Sequence, residues 1–249
     1  NEHLHYFGIS HLNLAWIARG IGNGPRALRH ARVALEALAA TSAGPEMDTV
    51  RTVSAWAHAH GGDVAEALSE IEAALASRFP QSRFETLLEA ADVVGTYVDP
   101  DRARSLVAEA EAVGARTDAE RTYLALFRAE NLVRLGRASD AMAVLDRIPP
   151  GRHTGYPGFY VRVELARAVG AVVTRSPDAG RFIATARAQA ERQGAVGAGR
   201  AIQLLESLEQ PAAASAAVTA LWSVEPGIVV ALAEAVVARL ADFDESALE

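Results

Sequence analysis

Cysteine is absent from the 249 residues, and so is lysine: all 24 basic side chains are arginines. The first absence excludes disulfides, thiolate metal ligands and a thiol nucleophile. The second excludes a Walker lysine and a Schiff-base amine. No apolar run reaches the roughly 18 uninterrupted residues that a membrane span requires. Alternation of β-branched residues over five or six positions hardly occurs, which argues against sheets. Net charge is −7 and the arginines are scattered rather than blocked, so no stripe tracks a phosphate backbone and direct nucleic-acid binding is not expected. The opening Asn-Glu-His-Leu-His has neither a basic flank nor a signal-type apolar stretch, so cytoplasm is the expected compartment.

What the chain has in abundance is alanine, joined by leucine, glutamate and arginine in long stretches of strong helix former. Breakers divide these stretches at Gly20 to Pro25, Ala40 to Pro45, Gly61 to Asp63, Pro80 to Ser82, Val98 to Asp101, Gly114 to Asp118, Gly136 and Arg137, Pro149 to Gly158, Arg175 to Asp178, Gly194 to Gly199, Pro211, and Glu225 to Gly227. About a dozen helices result, and the fold class is all-α. Pro25, Pro100 and Pro177 sit where first helical turns tolerate proline, with Asp99 and Ser176 as N-caps for the latter two.

The segments repeat. Gly22 to Leu35 reads Gly, four residues, Ala27-Leu28, five residues, Ala34-Leu35, and Gly62 to Leu75 repeats that frame through Ala67-Leu68 and Ala74-Leu75. Looser copies begin at Asp101 and Gly136, and a fifth at Asp178. Subtracting positions, Ala27, Ala67, Ala103, Ala141 and Ala179 are separated by 40, 36, 38 and 38 residues. Gly lets the chain reverse, and Ala lets the second helix of a pair approach the first. One pair cannot bury both faces, so several must stack.

The Gly-Asp-x-x-Glu-Ala-Leu of Gly62 to Leu68, with Pro80 following, resembles the second helix of the tetratricopeptide repeat (TPR). The likeness runs over roughly residues 8–193. It implies a right-handed superhelix of stacked antiparallel helix pairs, a TPR-like α-solenoid, over residues 1–210. Residues 211–249 would add C-terminal capping helices: Ile228, Val229, Leu232, Val236, Val237 and Leu240 form an apolar stripe that covers the last repeat or pairs two copies as a homodimer. The period of about 38 residues exceeds the usual 34 or so. In this it resembles the helical sensor region of large ATP-dependent LuxR-type transcription regulators, and the arginine-only, alanine-rich composition is similar to that of actinobacterial proteins. The resemblance implies a non-catalytic module that takes a protein segment or small effector in a concave groove. A free-standing adaptor and a helical enzyme with a cavity active site are the other readings.

Aligned on the alanine frame, the first helices place Trp16, Trp56, Asp92 and Glu130 at equivalent positions, with Arg19 one turn beyond Trp16. Together with Tyr123 these are the candidate groove residues, aromatic at one end and acidic in the middle, suited to stacking and charge-assisted hydrogen bonds. The alternatives are that both tryptophans are inter-helix core and that Asp92 and Glu130 are solvated. Gly20 to Gly24 looks like a phosphate loop but follows a helix, so a reversal between helices explains it better. His58 and His60 are two apart on one helix and cannot chelate together, while His3 and His5 lie in an expected frayed terminus. No HExxH motif or Gly-x-Ser-x-Gly elbow occurs, so neither a catalytic residue nor a metal or cofactor is expected. The stretch from Pro149 to Tyr160, with His153, Tyr156, Phe159 and Tyr160, is either a binding loop or a spacer whose rings pin the next helix.

Overall fold

In a computed structural model the described residues are 2–41, 44–77, 79, 82–148 and 158–209. They form eleven helices and no strand: α1 (Glu2–Gly20), α2 (Gly24–Ala39), α3 (Glu46–His60), α4 (Val64–Leu75), α5 (Arg83–Tyr97), α6 (Pro100–Val113), α7 (Asp118–Arg134), α8 (Ala138–Leu145), α9 (Phe159–Val173), α10 (Ala179–Gln193) and α11 (Val196–Glu209). The expected homodimerising or capping stripe of residues 211–249, together with His153 and Tyr156, lies outside the described residues. No described helix is long and apolar enough to cross a membrane.

The reversals inside the hairpins share one turn. Gly22, Gly62 and Gly136 take φ of +76°, +90° and +72°, a conformation that costs any residue with a Cβ. Each glycine N–H donates to the carbonyl three residues back, and the next residue's N–H donates to the carbonyl five back, as in Asn23 to Ala18 at 2.8 Å and Asp63 to His58 at 2.9 Å. This is the Schellman arrangement that satisfies the last carbonyls of a helix. After Gly22 and Gly62 the next residue also caps the following helix: Asn23 accepts from the Arg26 N–H and Asp63 from the Glu66 N–H, whereas Arg137 after Gly136 makes no such bond. After α9 the same turn recurs with Arg175 in the glycine's place, at φ +54°. After α5 there is no glycine. Val98 ends the helix, and Asp99 accepts from the Asp101 N–H at 2.8 Å with Pro100 in the first turn, as expected of that cap.

Three boundaries differ from the sequence expectation. Ser176 is not the N-cap of α10, which starts only at Ala179; its hydroxyl accepts from the Asp178 N–H within the turn. Gly199 lies inside α11 rather than ending a segment. His3 and His5 belong to α1, which runs from Glu2.

The alanine frame is the packing surface between helices. Ala27, Ala67, Ala103 and Ala141 are fully buried, and so are Ala34, Ala74, Ala110 and Ala186 further along the same stripe. Between α5 and α6 the approach is close enough that a Cβ added to Gly95 would stand 2.9 Å from the Ala103 Cβ. Each odd-numbered helix touches the next odd-numbered one from α1 to α11, and each even helix through α10 also touches the odd helix that follows it. The helix at the centre of this row is α5, in which every residue from Thr86 to Thr96 is buried.

Candidate functional site

The enclosed stretch of α5 carries two buried carboxylates, Glu89 and Asp92, one turn apart. Burying a charge is costly unless it is paired, so the surroundings must supply cations. They do so from three other odd helices. Arg19 at the end of α1 donates to both Glu89 and Asp92, the latter at 2.8 Å. Arg134 at the end of α7 and Arg162 in the first turn of α9 each reach the other Asp92 oxygen at 3.0 Å. Arg162 also donates through Nε to Glu130 of α7 at 2.9 Å. The Tyr123 hydroxyl of α7 donates to Glu89. Three guanidinium groups thus face three carboxylates, and the cluster carries no net charge.

The electrostatics follow from that arrangement. Burial opposes ionisation of Asp92, but Arg162, Arg134 and Arg19 outweigh it and hold the carboxyl far below its usual range. Burial also works against the charges of Arg19 and Arg162, and the neighbouring acids overcome it, raising both above the ordinary arginine value. Burial, reinforced by Glu89, pushes the Tyr123 phenol well up, so it stays a neutral donor.

An aromatic wall backs the cluster. The Arg162 guanidinium lies over the Phe127 ring at 4.7 Å, and Tyr123 packs edge-on against Phe127 with centroids 4.6 Å apart. Phe159, one turn before Arg162 counting back along α9, is buried beside Tyr123, the pinning role considered for that ring. On the α3 side Arg19 lies 5.8 Å from the Trp56 ring. Trp56 in turn stacks on His60 at 4.8 Å, and His60 Nδ1 meets the Tyr97 hydroxyl at 3.3 Å. Burial, with the Arg200 guanidinium as a lesser contribution, moves the His60 imidazole below its ordinary value. Most of the cluster is sealed. Arg162 is the most open member, with 27% of its side chain exposed, and Glu130 lies beside it.

Five of the six nominated residues therefore converge: Arg19, Trp56, Asp92, Tyr123 and Glu130. Trp16 does not join them. It packs half-buried on the separate cluster of Leu12, Ala15, Ala31, Ala34, Leu38, Val50 and Val53. Trp56 is core, and Asp92 is buried rather than solvated. Glu89, Arg134 and Arg162 were not anticipated. Two of them left a trace in spacing: Glu89 stands three residues before Asp92, a like-charged pair on one helix face that calls for cations from elsewhere, and Arg134 follows Glu130 by four on a shared face; Arg162 left none.

Among the described residues no group of three or more His, Asp and Glu side chains is placed to hold a metal ion. His58 instead lies 3.5 Å from Asp63, apart from His60. No protein-family model matches the chain, and no curated protein or solved structure matches it either.

Proposed function

We propose that this chain is a non-catalytic, cytoplasmic binding module, a TPR-like right-handed solenoid whose odd-numbered helices line the concave side. In this reading a protein segment or small effector is its ligand, and it acts as the sensor region of a large LuxR-type transcription regulator, with residues 211–249 capping the last repeat. The successive odd-to-odd helix contacts and the buried alanine frame support the architecture. The observation that carries the binding reading is the convergence of six charged side chains from α1, α5, α7 and α9, with Arg162 and Glu130 at its open edge. An alanine and leucine core needs no such charges for stability, because buried ion pairs are often no better than apolar packing. What they supply is fixed orientation: a guanidinium over Phe127 and a carboxylate beside it, ready to exchange partners with a ligand carrying the opposite charges.

The test is selection of a random peptide library on the immobilised chain, with native mass spectrometry for retained small molecules. Ligands recovered from the wild type should bind Arg162→Gln and Glu130→Gln at least tenfold more weakly, with helix content by circular dichroism unchanged. Binding indifferent to both substitutions would remove this site from the proposal.

A further inference from the structure

Among the described residues eight large apolar side chains are exposed, and five of them sit on α1. Leu4 stands apart. Tyr6, Phe7, Leu14 and Ile17, at 68%, 50%, 37% and 51% exposure, share one face with the polar His3, Ser10 and Asn13, an arc of about 120° at 100° per residue. The repeat explains what such a face does elsewhere. Forty residues on from Ser10, Asn13, Leu14 and Ile17 stand Val50, Val53, Ser54 and Ala57 of α3. A further 36 residues on stand Thr86, Glu89, Ala90 and Val93 of α5. All eight are buried. Val50 and Val53 pack against Ala31, Ala34 and Leu38 of α2, the even helix that precedes α3. Among the described residues no helix packs on the same face of α1.

We propose that this face is a homodimer interface, in which α1 of a second copy takes the place that α2 takes against α3. Two features favour a second copy as occupant. A two-fold contact brings each face onto itself, and between Glu2 and Arg19 the helix has no Asp, Glu or Arg to repel its own copy. The four apolar side chains also expose on the order of 400 Å² per chain, at the scale of a functional patch on a monomer. With their polar neighbours, two such faces reach the roughly 1,000 Å² at which specific interfaces begin. The inference is independent of the ligand reading above.

Sedimentation equilibrium of the full chain between about 1 and 100 μM tests it. We expect a monomer–dimer equilibrium in the micromolar range, weakened at least tenfold by Leu14→Glu and by Ile17→Glu, with helix content unchanged. Because the chain has no cysteine, Ser10→Cys should form a disulfide-linked dimer under mild oxidation, whereas Ser69→Cys on the exposed side of α4 should not. A monomer at 100 μM overturns the proposal and leaves the face to another polypeptide. A dimer that survives both glutamate substitutions also overturns it, and moves the contact to the apolar stripe of residues 228–240.

Discussion

Replacing Asp92 by Asn keeps the shape of the side chain and removes one charge from the centre of the molecule. Arg19 retains Glu89 and Arg162 retains Glu130, but Arg134 loses its ion pair at 3.0 Å. The cluster passes from three charges of each sign to one unbalanced guanidinium, which the amide NH₂ also faces at close range. Breaking a buried pair by removing one partner costs about 3–5 kcal/mol. For a chain of this size 1 kcal/mol moves the midpoint by roughly 2–4 °C, so Asp92→Asn should lower Tm by about 6–20 °C in thermal unfolding followed at 222 nm. The deficit should persist in 0.5 M NaCl, since buried pairs are weakly screened. Its pH dependence has a defined sign. The folded-state pKa of Asp92 lies far below the ordinary value. Its contribution is therefore fully present above the unfolded carboxyl value near 3.9 and fades as pH falls below it. The difference between wild type and Asp92→Asn should be constant from pH 8 to pH 5 and narrow only below about pH 4. A loss under about 1 kcal/mol at pH 7, the scale of a surface pair, would refute the account of a buried, mutually neutralised cluster.

Two further substitutions examine the repeat. Ala67→Leu inserts three carbons at a fully buried helix contact and should destabilise by about 1–3 kcal/mol in urea unfolding; a neutral result would contradict the role assigned to the frame. Arg175→Gly relieves a left-handed backbone at φ +54°. Allowing for the greater freedom glycine gives the unfolded chain, it should stabilise by about 0.5–1 kcal/mol, seen as a rise in Tm; a fall would mean the Arg175 side chain contributes more than its backbone strain costs.

The helices and their partners were legible because local chemistry wrote them. Gly-Asn at 22 and 23 and Gly-Asp at 62 and 63 set a turn and a cap in adjacent letters, and Ala27, Ala67 and Ala103 mark contacts that tolerate only a small side chain. Asp92 and Glu130 were legible as equivalent positions on successive first helices, and Arg19 as the residue one turn beyond the matching Trp16. Their partners were not, because which odd helices meet depends on how far each pair rotates from the last, and that rotation is set by side chains distributed over whole interfaces. Hence an acidic groove was expected where the acids are neutralised by Arg134 and Arg162. Trp16 and Trp56 occupy matched positions yet different surroundings, since α1 has no preceding helix among the described residues and α3 has one on either side. The cap assigned to Ser176 misled for a smaller reason: proline at 177 stands in the turn, two residues before α10 begins.

The carboxyl of Asp92 ties residues 73 positions upstream and 70 downstream, at Arg19 and Arg162, and the Gly20 carbonyl lies within 3.3 Å of where a Gly158 Cβ would stand. A row of helices whose contacts were all between sequence neighbours could fray from its ends and melt piecemeal. A brace spanning most of the described chain removes that freedom: loosening the first helix unseats the ninth. Denaturation then tends toward a single concerted step, and refolding waits on an encounter between distant segments that no local hairpin can hasten.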